Sequence, residues 1–224
     1  NSQSVLGKHL TGFPNEKLRG ILLESSILKQ LTDQGKKACF INAFRPRFFD
    51  FPRERQLQYS ATTVANLAAF LPFFTLADVN AGRSIYQEFT NQELIELGFD
   101  VKPMTPGEAG RVLARAAREY DFTLYEYFQS DKAGHSQDLA RCCRQLEMLD
   151  EFLTALLAEL AEDLADDTLV LLTSDHGNIE DLSTKRHTTN PIPLAGWGSG
   201  AEQVLEQVSR LDQVTPAVVA RHGG

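Results

Sequence analysis

The sequence predicts an α/β fold in which a mostly parallel sheet is sandwiched by helices. Two observations favour it: the strand-like runs are continuously apolar rather than alternating, and helical segments separate them along the chain. In such sheets, ligand sites gather at the carboxyl ends of the strands. The residues that follow each predicted strand are therefore the first candidates for function.

The individual elements follow from local patterns. Apolar residues at helical spacing predict helices over 16–34 and 138–164. Residues 105–108 begin another helix, to about residue 120, because they offer a capping hydroxyl, a proline at the first helical position and an acid at the third. Compact apolar runs predict strands over 38–43, 122–128, 168–173 and 192–197.

The predicted domain organisation divides the chain into a core and an insertion. The stretch 44–74 is irregular and rich in Phe, Arg and Pro. Starts of three further helices are predicted at Thr75 with Asp78, Thr90 with Glu93, and Thr215 with Pro216. We expect residues 1–44 and 105–224 to form a metal-binding α/β core, and residues 45–104 to form a small helical cap or insertion.

Charge and composition exclude several classes of protein. The 224 residues carry a net charge of −8 and no run of Lys or Arg, which argues against a nucleic-acid or membrane-surface binder. No run approaches the roughly 18 apolar residues that cross a bilayer. The three cysteines, two of them adjacent, favour a reducing, cytoplasmic location over a disulfide scaffold. A chain that begins at Asn1 without a signal segment is expected to have a truncated start.

Carboxylate and imidazole groups follow two of the predicted strands and recur in the next loop. Asp131 and His135 come after the second strand, and their four-residue spacing presents both on one face of a helical turn. Asp175 and His176 directly follow the third strand, and His187 lies in the loop beyond. Aspartate and neutral histidine are common ligands of Zn²⁺ and Mn²⁺. These five residues are the predicted metal ligands.

Each part of this pattern also has a structural explanation. Asp175 could cap a helix, and His187 could be a solvated loop residue. Three separate placements of Asp and His at strand ends favour ligands over that alternative. His9 and His222, which are isolated near the termini, are expected to be surface residues.

Three strings resemble the metal-site motifs of the alkaline phosphatase superfamily: DKAGH at 131–135, TSDHGN at 173–178 and HTTNPIPL at 187–194. Their order is similar to that in the branch of cofactor-independent phosphoglycerate mutase and phosphopentomutase. The resemblance implies two divalent metal ions, Mn²⁺ or Zn²⁺ with Mg²⁺ as an alternative. Such a pair activates a Ser or Thr hydroxyl and neutralises the phosphoryl group.

The resemblance also implies how the ligands are divided. Asp131, His135 and His187 match the residues that hold one ion, whereas Asp175 and His176 match part of the set for the other. That set includes an early Asp and the nucleophile, for which residues 1–20 offer no convincing match. No catalytic residue is therefore assigned. The large transferase insertion of the mutase has no counterpart here.

Three functional hypotheses remain. The leading one is a metal-dependent phosphoryl- or sulfuryl-ester hydrolase or transferase domain, incomplete in this chain, that acts on a small anionic phosphate or sulfate ester. The second is a non-catalytic, metal-stabilised binding domain that kept the scaffold. The third is a plain α/β domain whose Asp and His residues are structural. The substrate, the metal and the oligomeric state stay open.

Overall fold

The computed structural model describes residues 13–223, so His9 lies outside the described residues. The described helices are α1 (Glu16–Ser25), α2 (Ile27–Asp33), α3 (Pro46–Phe49), α4 (Arg53–Gln56), α5 (Ala61–Ala68), α6 (Leu76–Asn80), α7 (Gln92–Glu96), α8 (Pro106–Glu119), α9 (Gln129–Ser136), α10 (Leu139–Glu159), α11 (Ala161–Asp166), α12 (Ala201–Gln207) and α13 (Val214–His222), with a 3₁₀ turn at Leu211–Gln213. The strands are β1 (Ala38–Phe40), β2 (Ala43–Phe44), β3 (Phe74–Thr75), β4 (Phe122–Leu124), β5 (Leu169–Thr173) and β6 (Leu194–Gly198).

The described strands form three pairs, of which two are parallel. β1 pairs with β4 in parallel, with Ala38 opposite Phe122, and β2 pairs with β3 in the same sense. β5 and β6 pair antiparallel, with Leu169 opposite Gly198. The α/β class with mostly parallel strand pairing is confirmed. Which strands become partners depends on non-local contacts and was not predicted.

Helices cover both faces of the β1–β4 pair. Ala38 and Phe40 pack on one face with Leu28 of α2, while Cys39 and Ile41 point into the larger core cluster on the other face. That larger cluster is formed with residues of α8 and α10. Because successive strand residues point to opposite faces, a short run with no polar residue fits a strand buried on both sides.

Two predicted strands are shorter in the structure because their partners change. After β1, Ile41 N still donates to Leu124 O, but Ala43 N donates to Ile85 O, so the run 38–43 moves to a different neighbour. Among residues 13–223, β4 consequently has no strand partner beyond Leu124, and the predicted strand 122–128 ends there. The prediction was correct about extended chain and wrong about its length.

Two predicted helices are interrupted. The helix predicted over 16–34 breaks at Ser26, whose ψ of 154° is extended. The helix predicted over 138–164 breaks at Leu160, where φ is −93° and ψ is 11°. Helices α5 and α12 were not predicted at all. In α5 the sequence contains Thr and Asn, which disfavour helix interiors, yet six of its residues are buried, so tertiary packing decides its conformation.

The predicted helix starts are partly confirmed. Thr105 forms a complete capping box with Glu108, and at Thr75 the carboxylate of Asp78 accepts from both the backbone N and the hydroxyl of the threonine. The prediction for Thr90 was wrong, because the N-cap of α7 is Asn91, at φ 64°. The carboxylate of Glu88 instead accepts hydrogen bonds from Thr90 N at 2.9 Å and Glu93 N at 3.1 Å.

Helices α8 and α10 pack closely against each other. A Cβ atom added to Gly110 would lie 2.3 Å from the backbone oxygen of Phe152 and 3.2 Å from Cβ of Ala155. Only a residue without a side chain permits this approach. The two helices form the wall behind β1 and β4, and so they fix the scaffold that carries the site.

Helix α5 connects the segment 45–104 to the rest of the chain. It packs against α1, α2 and β1, while an isolated parallel bridge joins Asn42 to Ile85. Within the described residues, no helix combines the length and the apolar character needed to cross a membrane.

Candidate metal centre

Helix α9 carries two of the predicted ligands. It begins five residues after β4 ends, and Asp131 and His135 lie one turn apart on it. Asp131 Oδ1 is 3.3 Å from His135 Nε2. The helix therefore directs a carboxylate and an imidazole to the same point.

The loop between β5 and β6 carries the other two predicted histidine ligands, His176 and His187. Gly177 and Thr188 form an antiparallel bridge within this loop, and Thr188 N donates to Gly177 O at 2.9 Å. The bridge brings His176 beside His187, whose rings stack with centroids 3.5 Å apart. A Cβ atom on Gly177 would lie 2.2 Å from Thr188 Oγ1, so the bridge requires glycine at this position.

Three ligand atoms from the two elements form a nearly equilateral triangle. Asp131 Oδ1 is 3.3 Å from Nε2 of both His135 and His187, and the two Nε2 atoms are 3.2 Å apart. Tetrahedral coordination with bonds of about 2.0–2.2 Å sets neighbouring ligand atoms about 3.3–3.6 Å apart. The triangle fits one face of such a site.

The hydrogen bonding of His135 orients its free lone pair towards this triangle. His135 Nδ1 lies 2.6 Å from the backbone oxygen of Lys185. A carbonyl oxygen only accepts, so Nδ1 carries a proton, and in the tautomer that binds metal Nε2 offers its lone pair. That lone pair faces the Asp131 carboxylate, an arrangement that a cation between them stabilises. A hydrogen bond from the other ring nitrogen to a backbone oxygen is typical of metal-binding histidines.

Asn178 holds the aspartate ligand from behind. Its Nδ2 donates to Asp131 Oδ1 at 2.6 Å, and the residue is only 4% exposed. A Cβ atom added to Gly134 would lie 1.9 Å from Asn178 Oδ1, so the amide occupies the space that a side chain at position 134 would fill. Gly134 therefore makes room for the amide that orients Asp131.

Glu180 joins the two halves of the histidine loop. Its carboxylate accepts from the backbone N of Asn178 at 2.6 Å, from the Thr188 hydroxyl, and from Asn190 Nδ2 at 3.1 Å. Although desolvation opposes it, these hydrogen bonds hold the pKa of Glu180 below its usual range. The loop positions of His176 and His187 depend on this one side chain.

Asp175 and His176 extend the cluster on one side. His176 Nε2 is 3.5 Å from Asp175 Oδ2 and 3.8 Å from Asp131 Oδ1. Asp131, His176 and His187 also offer ligand atoms that all lie within 4.8 Å of one another. The Asp175 side chain is 76% exposed, so the cluster opens to solvent there. All five predicted ligands thus lie in one continuous group.

Polar side chains tie helix α9 to the segment 45–104. Gln129 Nε2 donates to Gln87 Oε1 at 3.0 Å, and Gln87 Nε2 donates to Glu93 Oε2 at 3.0 Å. Lys132, next to Asp131, forms an ion pair with the same Glu93 oxygen at 3.2 Å. The ligand helix is therefore anchored on the side away from the histidines.

Residues with supporting contacts were not predicted individually. Asn178 stands inside a quoted motif and Glu180 follows it closely, but no local pattern shows what either contacts. Glu126 gave no signal, because it stands within an apolar run predicted as strand.

Comparison with known proteins agrees with this geometry. A sequence profile of the family described as "Metalloenzyme superfamily" matches residues 78–223, which include all five predicted ligands. The chain belongs to the metalloenzyme superfamily. This confirms the resemblance to the alkaline phosphatase superfamily that the three motifs indicate, and membership indicates binding of divalent metal.

Several relatives of this metalloenzyme chain are named 2,3-bisphosphoglycerate-independent phosphoglycerate mutase. That of Picosynechococcus is 29% identical over 161 residues, which cover 62% of this chain and 30% of the relative. That of Desulforudis audaxviator is 28% identical over 128 residues, covering 54% of this chain and 25% of the relative. The metalloenzyme chain thus matches less than a third of the length of these mutases.

One solved structure supports the fold of the metalloenzyme chain. The PH0037 protein from Pyrococcus horikoshii superposes with a TM-score of 0.51 at 18% identity, over 76% of this chain and 40% of the other. At that identity the likeness concerns the fold alone.

Proposed function

We propose that this chain is most of a metal-dependent phosphoryl- or sulfuryl-ester hydrolase or transferase domain that uses two divalent ions. The observation that carries the proposal is the triangle of Asp131 Oδ1, His135 Nε2 and His187 Nε2, with sides of 3.2–3.3 Å. Family membership and the mutase relatives support phosphoryl transfer on a small phosphorylated molecule.

In this proposal the chain's own residues hold and orient the reacting groups. Asp131, His135 and His187 would hold one ion, and Asp175 and His176 would hold part of the coordination of the second. Bound divalent ions supply Lewis-acid neutralisation of the phosphoryl charge and activation of a hydroxyl. Asn178 fixes the Asp131 carboxylate, which keeps the lone pairs directed to one point.

The remaining parts of the site are proposed to come from elsewhere in the full-length protein. The family pattern requires an early Asp and a Ser or Thr nucleophile, and the mutase relatives are three to four times longer than the part matched here. We further propose that residues 45–104 form the cap over the metal end of the core. The bonds from Gln129 and Lys132 to this segment support that arrangement.

Metal binding is tested with ligand variants of the full-length protein. Asp131→Asn and His187→Ala should each lower metal affinity by more than about tenfold, because losing a ligand opens the site. His222→Ala is the matched control, since His222 packs against Phe122. Unchanged metal content in both ligand variants would show that the assigned ligands are wrong.

Turnover separates the enzyme from the non-catalytic alternative. The full-length protein, loaded with Mn²⁺ or Zn²⁺, is assayed with an aryl phosphate, an aryl phosphodiester and an aryl sulfate. No metal-dependent turnover of any of them, together with a metal-induced rise in melting temperature, would favour the binding domain. The predicted cytoplasmic location stays a prediction.

A further inference from the structure

A second polar cluster lies on the segment that leads from β4 into the ligand helix α9, and it contains none of the five predicted ligands. Glu126 lies two residues beyond β4, on the same strand end that leads into α9. The hydroxyl of Thr62, in the first turn of α5, donates to Glu126 Oε2. The pair therefore joins the core to the segment 45–104 at the edge where ligands bind in this fold class.

The backbone of Glu126 is held by one buried amide. Asn42 Nδ2 donates to Glu126 O at 2.7 Å, and Glu126 N donates to Asn42 Oδ1 at 3.0 Å. Asn42 is only 3% exposed. The Asn42 side chain thus makes the two backbone hydrogen bonds that a neighbouring strand would make, and it fixes the position of the Glu126 backbone.

Hydroxyl groups from α5 fix the carboxylate itself. Ser60 Oγ is 2.9 Å from Thr62 Oγ1 and 3.0 Å from Thr63 Oγ1, and so the hydroxyls form a connected group. Only Oε2 of Glu126 has a hydrogen-bond partner within residues 13–223. Oε1 therefore has acceptor capacity that the described residues do not use.

The charge environment of Glu126 is unusual for a side chain with a purely structural role. In the described part of the chain no Lys, Arg or His forms an ion pair with it. Burial raises its pKa to about 7, and the negative charge of Asp175 adds to the rise. Glu126 stands on the short segment between β4 and the ligand helix α9, and both it and Thr62 remain half-buried rather than enclosed.

Ionising this carboxyl group costs stability, because only its Oε2 receives a hydrogen bond from the described residues. Accepting a hydrogen bond from Thr62 does not itself need a carboxylate, because the neutral side chain of glutamine could accept it without the cost of burying a charge. The metal centre is proposed to take the phosphoryl group, so the donor would belong to the rest of the same molecule. A hydroxyl of the substrate suits this position, because it can donate to Glu126 Oε1 and can also exchange hydrogen bonds with the hydroxyls of Ser60, Thr62 and Thr63.

We propose that Glu126 and Thr62 form the specificity pair of this site, in which Glu126 Oε1 accepts a hydrogen bond from a hydroxyl of the substrate. The proposal rests on the proposed function, because it needs the phosphoryl group at the metal centre.

The test measures the binding of three probes to the full-length, metal-loaded protein by calorimetry at about pH 8.5, above the pKa of about 7, so that Glu126 is ionised. Glycerol 3-phosphate offers hydroxyls, phosphoethanolamine offers an ammonium group, and phenyl phosphate offers neither. Glu126→Gln and Thr62→Val should each weaken glycerol 3-phosphate by about tenfold, since hydrogen bonds to charged groups are the strong ones. Both should leave the affinity for phenyl phosphate and the metal content unchanged.

Glu54→Gln is the matched control, because Glu54 is an exposed residue of the same segment. It should leave all three affinities unchanged. Equal losses for glycerol 3-phosphate and phenyl phosphate in the Glu126 variant would overturn the proposal, because the pair would then support the metal centre rather than specificity. A wild-type preference for phosphoethanolamine would overturn the hydroxyl assignment.

Failure of the proposed function gives a different result. In that case the wild-type protein would bind metal but none of the three phosphate probes. If the wild type binds phenyl phosphate, and both variants bind glycerol 3-phosphate as it does, only the specificity pair is wrong. Melting temperatures of the variants show that each is folded when it is measured.

Discussion

The raised pKa of Glu126 predicts a specific change of stability with pH. Its carboxyl group has an ordinary pKa of 4.5, and burial together with Asp175 raises this to about 7 in the folded protein. The folded state therefore retains a proton that the unfolded chain has already released. The contribution to stability is fully present below about pH 4.5 and is lost as the pH rises through about 7.

The magnitude follows from that shift. At about 1.4 kcal/mol for each pKa unit, ionising Glu126 in the folded protein costs about 3 kcal/mol at high pH. Glutamine keeps the volume and the Thr62 hydrogen bond but cannot ionise. The stability of Glu126→Gln relative to wild type should therefore rise by about 2.5 kcal/mol between about pH 5 and pH 8.

Urea denaturation at several pH values, in the presence of EDTA, measures this difference. EDTA is needed because a bound cation near Asp175 would lower the pKa of Glu126 and reduce the effect. Glu54→Gln is again the control, and its stability relative to wild type should not change with pH. A difference for Glu126→Gln that stays constant within about 0.5 kcal/mol would refute the reasoning.

Two further predictions concern close packing and the histidine loop. Gly110→Ala should lower the free energy of unfolding by about 1–3 kcal/mol, because its Cβ would meet the Phe152 backbone. Gly20→Ala has open space around it and should raise the free energy of unfolding by about 0.5–1 kcal/mol. Urea denaturation of both variants compares them directly. Glu180→Ala should lower metal affinity by about 10–100-fold by freeing the loop. Titration of that variant beside Glu54→Ala measures the loss, and equal affinities would contradict the role assigned to Glu180.

Much of the site could be predicted from sequence because its determinants are local. The spacing of Asp131 and His135 defines one helical turn, and Asp175 and His176 stand directly after an apolar run that is indeed a strand. Local patterns of this kind depend on helical periodicity and strand length, both of which are visible within a few residues.

The unpredicted parts depend on contacts between distant residues. Asn42 and Glu126 are 84 residues apart, so nothing near either position shows that an amide completes the end of β4. The change of partner after Ile41 is equally non-local. Helix α5 contradicts its own propensity, because burial of most of its residues outweighs the preference of Thr and Asn for other conformations.

The bridge between Gly177 and Thr188 bears on the energetics of metal capture. Together with Glu180, it closes the histidine loop with protein hydrogen bonds. The conformational entropy of that loop is thus lost during folding rather than when an ion arrives. Such preorganisation leaves more of the coordination energy for affinity, and it makes the capture of metal depend on the ion's own dehydration more than on ordering of the chain.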